Sequence, residues 1–169
     1  MRDLSEFEKG WIAALIDGEG TICLAKIKRS KARCGYRYRA NLNITNTSFP
    51  IIDKAYEILG MGNVAVDEAR AKWNRKRPIK ILLLSSNDLR EFLPIIKNSL
   101  ISKKKQAEIM IEALELLKEN SEVASETTYQ KRLEQIDKNT KLLDTLYEEM
   151  WKLNGHSQMS SLAKNLYAR

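Results

Sequence analysis

The first twenty residues follow a helical pattern that then changes to an alternating one. Ser5-Glu6-Phe7-Glu8 is a Ser-x-x-Glu capping box, which predicts a helix start. One face of this helix is apolar and is expected to enter a core: Trp11, Ile12, Leu15 and Ile16. Another face carries almost no side chains, which lets a second backbone approach closely: Gly10, Ala13, Ala14 and Asp17.

Two pairs of strands are predicted beyond this helix. The first pair covers Thr21 to Arg29 and Gly35 to Asn46, where polar and apolar residues alternate. The second pair covers about Asn63 to Trp73 and Ile79 to Ser85. Both pairs read as hairpins, because a short polar connection joins the two strands of each.

Helices are predicted between and after these hairpins. Pro50 near the start and Gly60 at the end delimit the first, and Asn87 or Asp88 is expected to cap a short helix through Phe92, ended or kinked near Pro94. Ser102 is expected to cap a long helix to about Lys118, and Ser125 to Leu153 forms one long helix or two shorter ones. The fold class is therefore α+β, with the order αββαββα and extra C-terminal helices. We expect a single domain over residues 1–169, with a core at about 5–118 and a helical extension at about 125–169.

The second predicted strand is the clearest. One of its faces is apolar and suits a core: Tyr38, Ala40, Leu42 and Ile44. Its other face carries side chains that pair with base edges in the major groove, arginine with guanine and asparagine with adenine: Arg37, Arg39, Asn41 and Asn43.

Charge strengthens the expectation of a polyanionic partner. The 169 residues include 29 Lys and Arg against 22 Asp and Glu, a net charge of +7. The basic residues concentrate in the hairpins, with seven Lys and Arg and no acid between Lys26 and Arg39, and six and no acid between Arg70 and Lys80. Cys23 and Cys34 lack metal-type spacing and are expected to be free thiols. Without a signal peptide or membrane-length apolar run, the chain is expected to be intracellular and not membrane-bound.

The first helix ends with a charge that its dipole disfavours. Asp17 and Glu19, beside Gly18 and Gly20, are carboxylates at the negative end of the helix. The simplest interpretation is a glycine C-cap that runs into a strand. A divalent cation bound by carboxylate and carbonyl oxygens would also resolve the repulsion.

The segment from Ile12 to Gly20 resembles the nine-letter signature of the LAGLIDADG homing endonucleases. Ala14 stands where the family commonly has Gly, and Glu19 where its final Asp is more frequent. The resemblance implies a saddle-shaped antiparallel sheet that lies in the DNA major groove. One signature per chain implies a homodimer joined through Gly10, Ala13, Ala14 and Asp17, acting on a long near-palindromic site in double-stranded DNA.

Site residues follow from the same resemblance. Glu19 and the Gly18 carbonyl are expected to bind Mg²⁺ or Mn²⁺, with Ca²⁺ as a non-cleaving substitute, while Asp17 holds the helix end. Lys103 matches a lysine that stabilises the transition state or tunes the water, and Asn46 stands where relatives often have a Gln that positions solvent. The remaining basic and polar residues are expected to contact DNA: Arg29, Lys31, Arg37, Arg39, Asn41, Asn43, Arg70, Lys72, Arg75, Arg77, Lys80 and Lys104.

Two other functions are compatible with the sequence. An RNA-binding maturase on the same fold would keep the basic surface and need no metal carboxylate. A basic ribosomal or chromatin protein would leave Asp17 and Glu19 at the helix end without an explanation. The Lys103-Lys104-Lys105 run at a helix N-terminus favours a phosphate there, or else it is a solvated charge run.

Overall fold

The computed structural model describes residues 2–30, 32–68, 77–126 and 128–155. Helix α1 (Glu6–Glu19) leads into strands β1 (Gly20–Lys28) and β2 (Tyr36–Asn46), which are followed by helix α2 (Phe49–Leu59). Strands β3 (Asn63–Asp67) and β4 (Ile79–Leu84) come next, and three helices complete the order: α3 (Ser86–Ile96), α4 (Lys104–Glu126) and α5 (Tyr129–Leu153). The predicted α+β class and αββαββα order are confirmed.

The four strands form one sheet in the order β1-β2-β4-β3. Strands β2 and β4 pair antiparallel, with Leu42 opposite Leu84 and Asn46 opposite Lys80. Strand β3 pairs antiparallel with the other side of β4, with Val64 opposite Leu82. The hairpins are therefore joined through their second strands, and β1 and β3 form the edges.

Both boundaries of helix α3 differ from the prediction. Helix α3 begins after Ser85, because Ser85 and Asp88 form a capping box in which the Ser85 N–H donates to Asp88 Oδ2 at 2.7 Å. It also continues through Pro94 to Ile96. Leu93 and Ile96 are fully buried on either side of that proline, and their burial offsets the lost backbone hydrogen bond.

The C-terminal helices also differ from their predicted boundaries. Helix α4 begins at Lys104 instead of directly after Ser102, and it extends to Glu126. Helix α5 begins at Tyr129 and ends at Leu153, close to the predicted end. Among the helices in the described ranges, none is both long enough and apolar enough to cross a membrane.

The chain divides into two compact units, and the division cuts through the first hairpin. The first unit takes residues up to 22 and residues 40–111, and the second takes residues 23–39 and those from 112 onward. In the first unit, Ile16, Leu42, Leu82 and Phe92 are completely buried. In the second unit, four side chains are at most 2% exposed: Leu24, Leu114, Leu143 and Met150. The expectation of one domain over the whole chain stays a prediction.

Candidate active site and basic surface

Helix α1 passes into β1 without a loop. The Gly20 N–H donates to the Ile16 carbonyl, and Gly20 is already the first residue of the strand. A Cβ atom at Gly20 would lie 2.7 Å from the Ile16 carbonyl oxygen, so only glycine fits this change of direction. Because Ile16 is fully buried, the last turn of the helix is anchored, and Asp17, Gly18 and Glu19 are held at its end.

The Asp17 carboxylate binds the segment that precedes α4. Asp17 Oδ2 accepts a hydrogen bond from the Ile101 N–H at 2.7 Å, and Asp17 Oδ1 accepts from the Ser102 hydroxyl and the Lys103 N–H, each at 2.9 Å. Burial raises the pKa of Asp17, but these hydrogen bonds outweigh burial and hold the pKa below its ordinary value. Asp17 therefore joins the end of α1 to the 101–103 segment of its own chain, which is compatible with the helix-end role that the resemblance implies.

These contacts also resolve the charge problem at the start of α4. Three lysines stand at the positive end of that helix dipole, and the sequence favours a phosphate there. The structure instead brings the Asp17 carboxylate to this end, where it accepts from the Lys103 N–H. The anion that complements the helix dipole is therefore supplied by the chain itself.

The Lys103 side chain turns back to the end of α1. Its Nζ donates to the Asp17 carbonyl oxygen at 2.5 Å. Carbonyls in the last turn of a helix lack intrahelical partners and carry the negative end of the dipole. Lys103 consequently fixes a positive charge at the helix terminus that also carries Gly18 and Glu19, so the structure brings these three predicted site residues to one place.

Glu19 is exposed at this terminus, and so is Gly18. A Cβ built at Gly18 would meet no atom within 4 Å, so the backbone there is open to a ligand. No group of three His, Cys, Asp or Glu side chains that could hold a metal ion occurs in the described ranges. The donors present therefore do not suit an all-protein cage. They suit Mg²⁺, which is usually bound through one or two carboxylates while phosphates and water complete its shell.

Asn46 lies at the same end of the first hairpin. The Arg29 N–H donates to the Gly35 carbonyl at 2.8 Å and closes the turn, so Gly20 and Asn46 are at the far end from it. Asn46 Oδ1 accepts a hydrogen bond from the Ser48 N–H at 2.7 Å, just before α2. The sequence gives no sign of this second role, which orients the Asn46 side chain and leaves its amide nitrogen as the group for a ligand or water.

The outer face of α1 is rotated from the one that the sequence predicts. Gly10 and Ala14 are exposed, whereas Ala13 is only 2% exposed and packs into the core of its own unit. Phe7, which is 79% exposed, follows the spacing of Gly10 and Ala14, so periodicity could have identified it. Ile101 is 90% exposed beside the Asp17 contact, and no local pattern points to it. Ala13 therefore contributes almost no exposed surface to the predicted helix-to-helix face.

Strand β2 alternates as predicted. Tyr38, Ala40, Leu42 and Ile44 lie on its inner face, and the last three are buried to 1% or less. The other face carries the predicted base-reading residues, of which Arg37 and Arg39 are exposed. Asn41 Nδ2 donates to Asn43 Oδ1 at 3.4 Å, and the buried Asn41 Oδ1 has no hydrogen-bond partner among the described residues.

The other predicted DNA contacts divide into three groups. Arg29, Arg77 and Lys104 are exposed. Lys80 is different, because its ammonium forms an ion pair with Asp53 of α2 and lies 5.6 Å from the Phe49 ring centroid. The alternation of β4 places Lys80 with the buried Leu82 and Leu84, so it contacts α2 instead of belonging to a base-reading face. Four predicted contacts lie outside the described residues: Lys31, Arg70, Lys72 and Arg75.

Comparison with known proteins gives a fold. No family model matches the sequence, and no curated protein matches it. Among solved structures, the intron-encoded homing endonuclease I-CeuI in complex with DNA is similar at a TM-score of 0.66 and 15% identity, over 89% of this chain and 69% of that one. The archaeal intron-encoded homing endonuclease I-Vdi141I in complex with DNA gives a TM-score of 0.58 and 18% identity, over 88% and 98% of the two chains. The LAGLIDADG homing endonuclease I-SmaMI bound to cleaved DNA gives a TM-score of 0.61 and 13% identity, and the match spans only 42% of that longer chain.

Proposed function

We propose that this chain, which has the fold of the LAGLIDADG homing endonucleases, is a site-specific endonuclease that cuts double-stranded DNA. The neighbouring structures carry DNA, which supports a duplex as the substrate. The observation that carries the proposal is the exposed Glu19 carboxylate at the negative end of α1, with the Lys103 ammonium fixed at the same terminus. A carboxylate at the negative end of a helix dipole is unfavourable for the fold, so a ligand at the helix end is a physical reason for Glu19.

Each residue at this terminus has a separate task in phosphodiester hydrolysis. Glu19 and the Gly18 carbonyl would hold a divalent cation, and similar proteins have been crystallised in the presence of Ca²⁺ or Mg²⁺. Such a cation supplies charge stabilisation and an acidified water. Lys103 adds a fixed positive charge for the phosphate, since its Nζ is already oriented by the Asp17 carbonyl. The Asn46 amide nitrogen is positioned to hydrogen-bond a water molecule.

Cutting two strands needs two such termini, and a homodimer supplies them. We place the contact on the outer face of α1. Gly10 and Ala14 carry little or no side chain there, so two backbones can approach closely. Phe7 and Ile101 are large apolar side chains left 79% and 90% exposed, which is typical of a surface that a partner covers. A symmetric dimer then requires a near-palindromic DNA site.

Sequence reading is assigned to the outer face of β2. Arginine and asparagine form paired hydrogen bonds with guanine and adenine edges, and the exposed Arg37 and Arg39 alternate along the strand with buried or half-buried neighbours. The exposed Arg29 and Arg77 are assigned to phosphates, which set affinity but not sequence preference.

Glu19→Gln tests the proposal. The side-chain volume is nearly unchanged and Glu19 is exposed, so the fold should survive. Binding and cleavage are measured on one duplex, either the uninterrupted host locus or a target selected from a random library, with and without Mg²⁺. We expect cleavage to fall by orders of magnitude because the cation loses its carboxylate, while DNA affinity without metal holds or rises.

The matched control is Glu115→Gln, which removes an exposed carboxylate from the middle of α4. It should cut like the parent. Near-parental cleavage by Glu19→Gln would show that Glu19 only ends a helix. If the parent itself cuts no duplex under these conditions, the maturase or binding-protein function takes precedence over the nuclease.

A further inference from the structure

The second unit contains a cavity whose lining shares only Arg29 with the residues assigned above to DNA. Its volume is about 550 Å³, and it lies beside the turn of the first hairpin. Basic and aromatic side chains line it, together with one serine: Lys26, Lys28, Arg29, Ser30, Tyr36 and Tyr147. Strand alternation puts Lys26 and Lys28 on the inner face of β1. The cavity is therefore on the opposite face of the hairpin from Arg37 and Arg39, and a duplex on that outer face leaves it open.

One cation in this cavity is already neutralised. The Lys26 ammonium forms an ion pair with Asp144 of α5 and lies 3.8 Å from the centroid of the Tyr36 ring. Asp144 also accepts hydrogen bonds from the hydroxyls of Tyr36, at 2.8 Å, and Tyr38. Burial raises the pKa of Asp144, but the Lys26 ammonium and, after it, the two tyrosine hydroxyls outweigh burial and hold the pKa below its ordinary value. The Asp144 carboxylate is thus paired with Lys26 and the two tyrosine hydroxyls, so its charge is balanced and does not repel an anionic ligand.

Two cations remain for a ligand. Lys28 and Arg29 are both exposed at the cavity, and no carboxylate among the described residues forms an ion pair with either. The Ser30 hydroxyl adds a hydrogen-bond donor beside them. Two uncompensated cations and a hydroxyl are the groups that proteins use for a phosphate.

The aromatic side chains of the cavity favour a ligand that carries a flat ring in addition to a phosphate. The Tyr36 ring is fixed by its hydroxyl bond to Asp144 and by an edge-to-face contact with Tyr38 at a centroid distance of 5.7 Å. Tyr147 supplies a second ring from α5. Rigid rings beside cations bind bases whose flat faces are free, which bases inside a duplex do not offer.

We propose that this cavity binds an unpaired nucleotide, with the base against Tyr147 or Tyr36 and the phosphate at Lys28 and Arg29. The nucleotide can be free or part of a single strand of RNA or DNA, since both present the same ring and phosphate. This inference does not rest on cleavage, and a chain that fails to cut DNA could still have the site.

The test uses the full-length protein and fluorescently labelled single strands of RNA and DNA, with a nucleoside monophosphate and inorganic phosphate as competitors. Lys28→Ala and Tyr147→Leu should each weaken binding about tenfold, since one stacked base or one phosphate contact is lost. Tyr147→Phe keeps the ring and should bind like the parent. Lys141→Ala removes an exposed cation of α5 away from the cavity and should also bind like the parent. Thermal unfolding checks that Tyr147→Leu is folded, and Lys28→Ala carries the test alone if it is not.

A second comparison separates the cavity from the duplex surface. Arg37→Ala should weaken duplex binding and spare the single strand, while Lys28→Ala should do the reverse. If the monophosphate competes as effectively per mole as the unlabelled strand, the site is assigned to free nucleotides. If only the strand competes, the site is assigned to nucleic acid. Either result supports the site. Inorganic phosphate competing as well as the monophosphate would overturn it, as would unchanged strand binding by both cavity variants.

Discussion

Replacing Asp17 by Asn separates stability from chemistry at the end of α1. The aspartate carboxylate accepts hydrogen bonds from two backbone N–H groups and one hydroxyl, of Ile101, Lys103 and Ser102. An asparagine amide keeps one acceptor oxygen and turns an NH₂ group toward at least one of these donors. The charge that faces the start of α4 is also removed.

The magnitude follows from these contacts. A hydrogen bond to a charged group contributes about 1.5–3 kcal/mol and a neutral one about 0.5–1.5 kcal/mol, so loss of the charge weakens each surviving bond by roughly 1 kcal/mol. One donor left unsatisfied costs about 1–3 kcal/mol, and the lost charge at the helix N-terminus about 0.3–1 kcal/mol. Water reaches part of this site, so we expect the free energy of unfolding to fall by about 2–4 kcal/mol.

Urea unfolding at neutral pH measures this change, and Glu19→Gln is the matched control because it removes a carboxylate from the same helix end without removing a hydrogen bond to the 101–103 segment. Glu19→Gln should leave the free energy of unfolding unchanged or slightly higher, since an anion at a helix C-terminus is unfavourable. Asp17→Asn should lower it. A free energy for Asp17→Asn within about 0.5 kcal/mol of the parent value would refute the argument, because surface substitutions alone produce changes of that size.

The pH dependence provides an independent check with a defined sign. The folded pKa of Asp17 lies below its ordinary value, so the stability it contributes is present above the unfolded pKa and is lost as the pH falls through the folded pKa. The difference in unfolding free energy between parent and Asp17→Asn should therefore be constant at neutral pH and shrink below about pH 4. A difference that grew under acid would contradict the contacts described here.

Three further predictions concern the dimer, specificity and catalysis. Ala14→Leu should leave the monomer folded because Ala14 is exposed, but it should weaken a symmetric dimer by roughly 1–3 kcal/mol at each of two sites, and sedimentation as an intact tight dimer would contradict the α1 interface. Arg39→Ala should weaken DNA binding by roughly 1–3 kcal/mol and relax one base position in each half-site, and a base-preference profile identical to that of the parent would remove Arg39 from the reading face. Lys103→Ala should slow cleavage less than Glu19→Gln does, which single-turnover kinetics at saturating Mg²⁺ can measure, and a slower Lys103 variant would reverse their assigned roles.

Much of the fold could be predicted from the sequence because its signals are local. The capping box at Ser5 sets the start of α1 through bonds between residues three apart, with Glu8 N–H donating to Ser5 Oγ at 3.3 Å. The alternation of β2 follows from the period of a strand, so the burial of Leu42 and Ile44 and the exposure of Arg37 were both predictable. The unfavourable negative charge at the end of α1, which includes Glu19, can likewise be recognised from a short stretch of consecutive residues.

What the sequence could not determine depends on contacts between distant segments. Asp17 meets Ile101 across 84 positions, so the helix-dipole argument identified Asp17 as unusual without revealing that the start of α4 uses its charge. Lys26 meets Asp144 across 118 positions, and this pair shapes a cavity that neither segment predicts by itself.

The amino-acid sequence by itself determined the inward and outward alternation of β2 and which stretches of this protein carry charge that their own helix disfavours. Only the tertiary structure decided what each face meets. Ala13 was placed in the core instead of on the outer face of α1, and Lys80 was paired with Asp53 on α2. The physical reason is that periodicity depends on bonds within a few residues, whereas burial and ion pairing depend on which elements pack together, and the whole chain decides that.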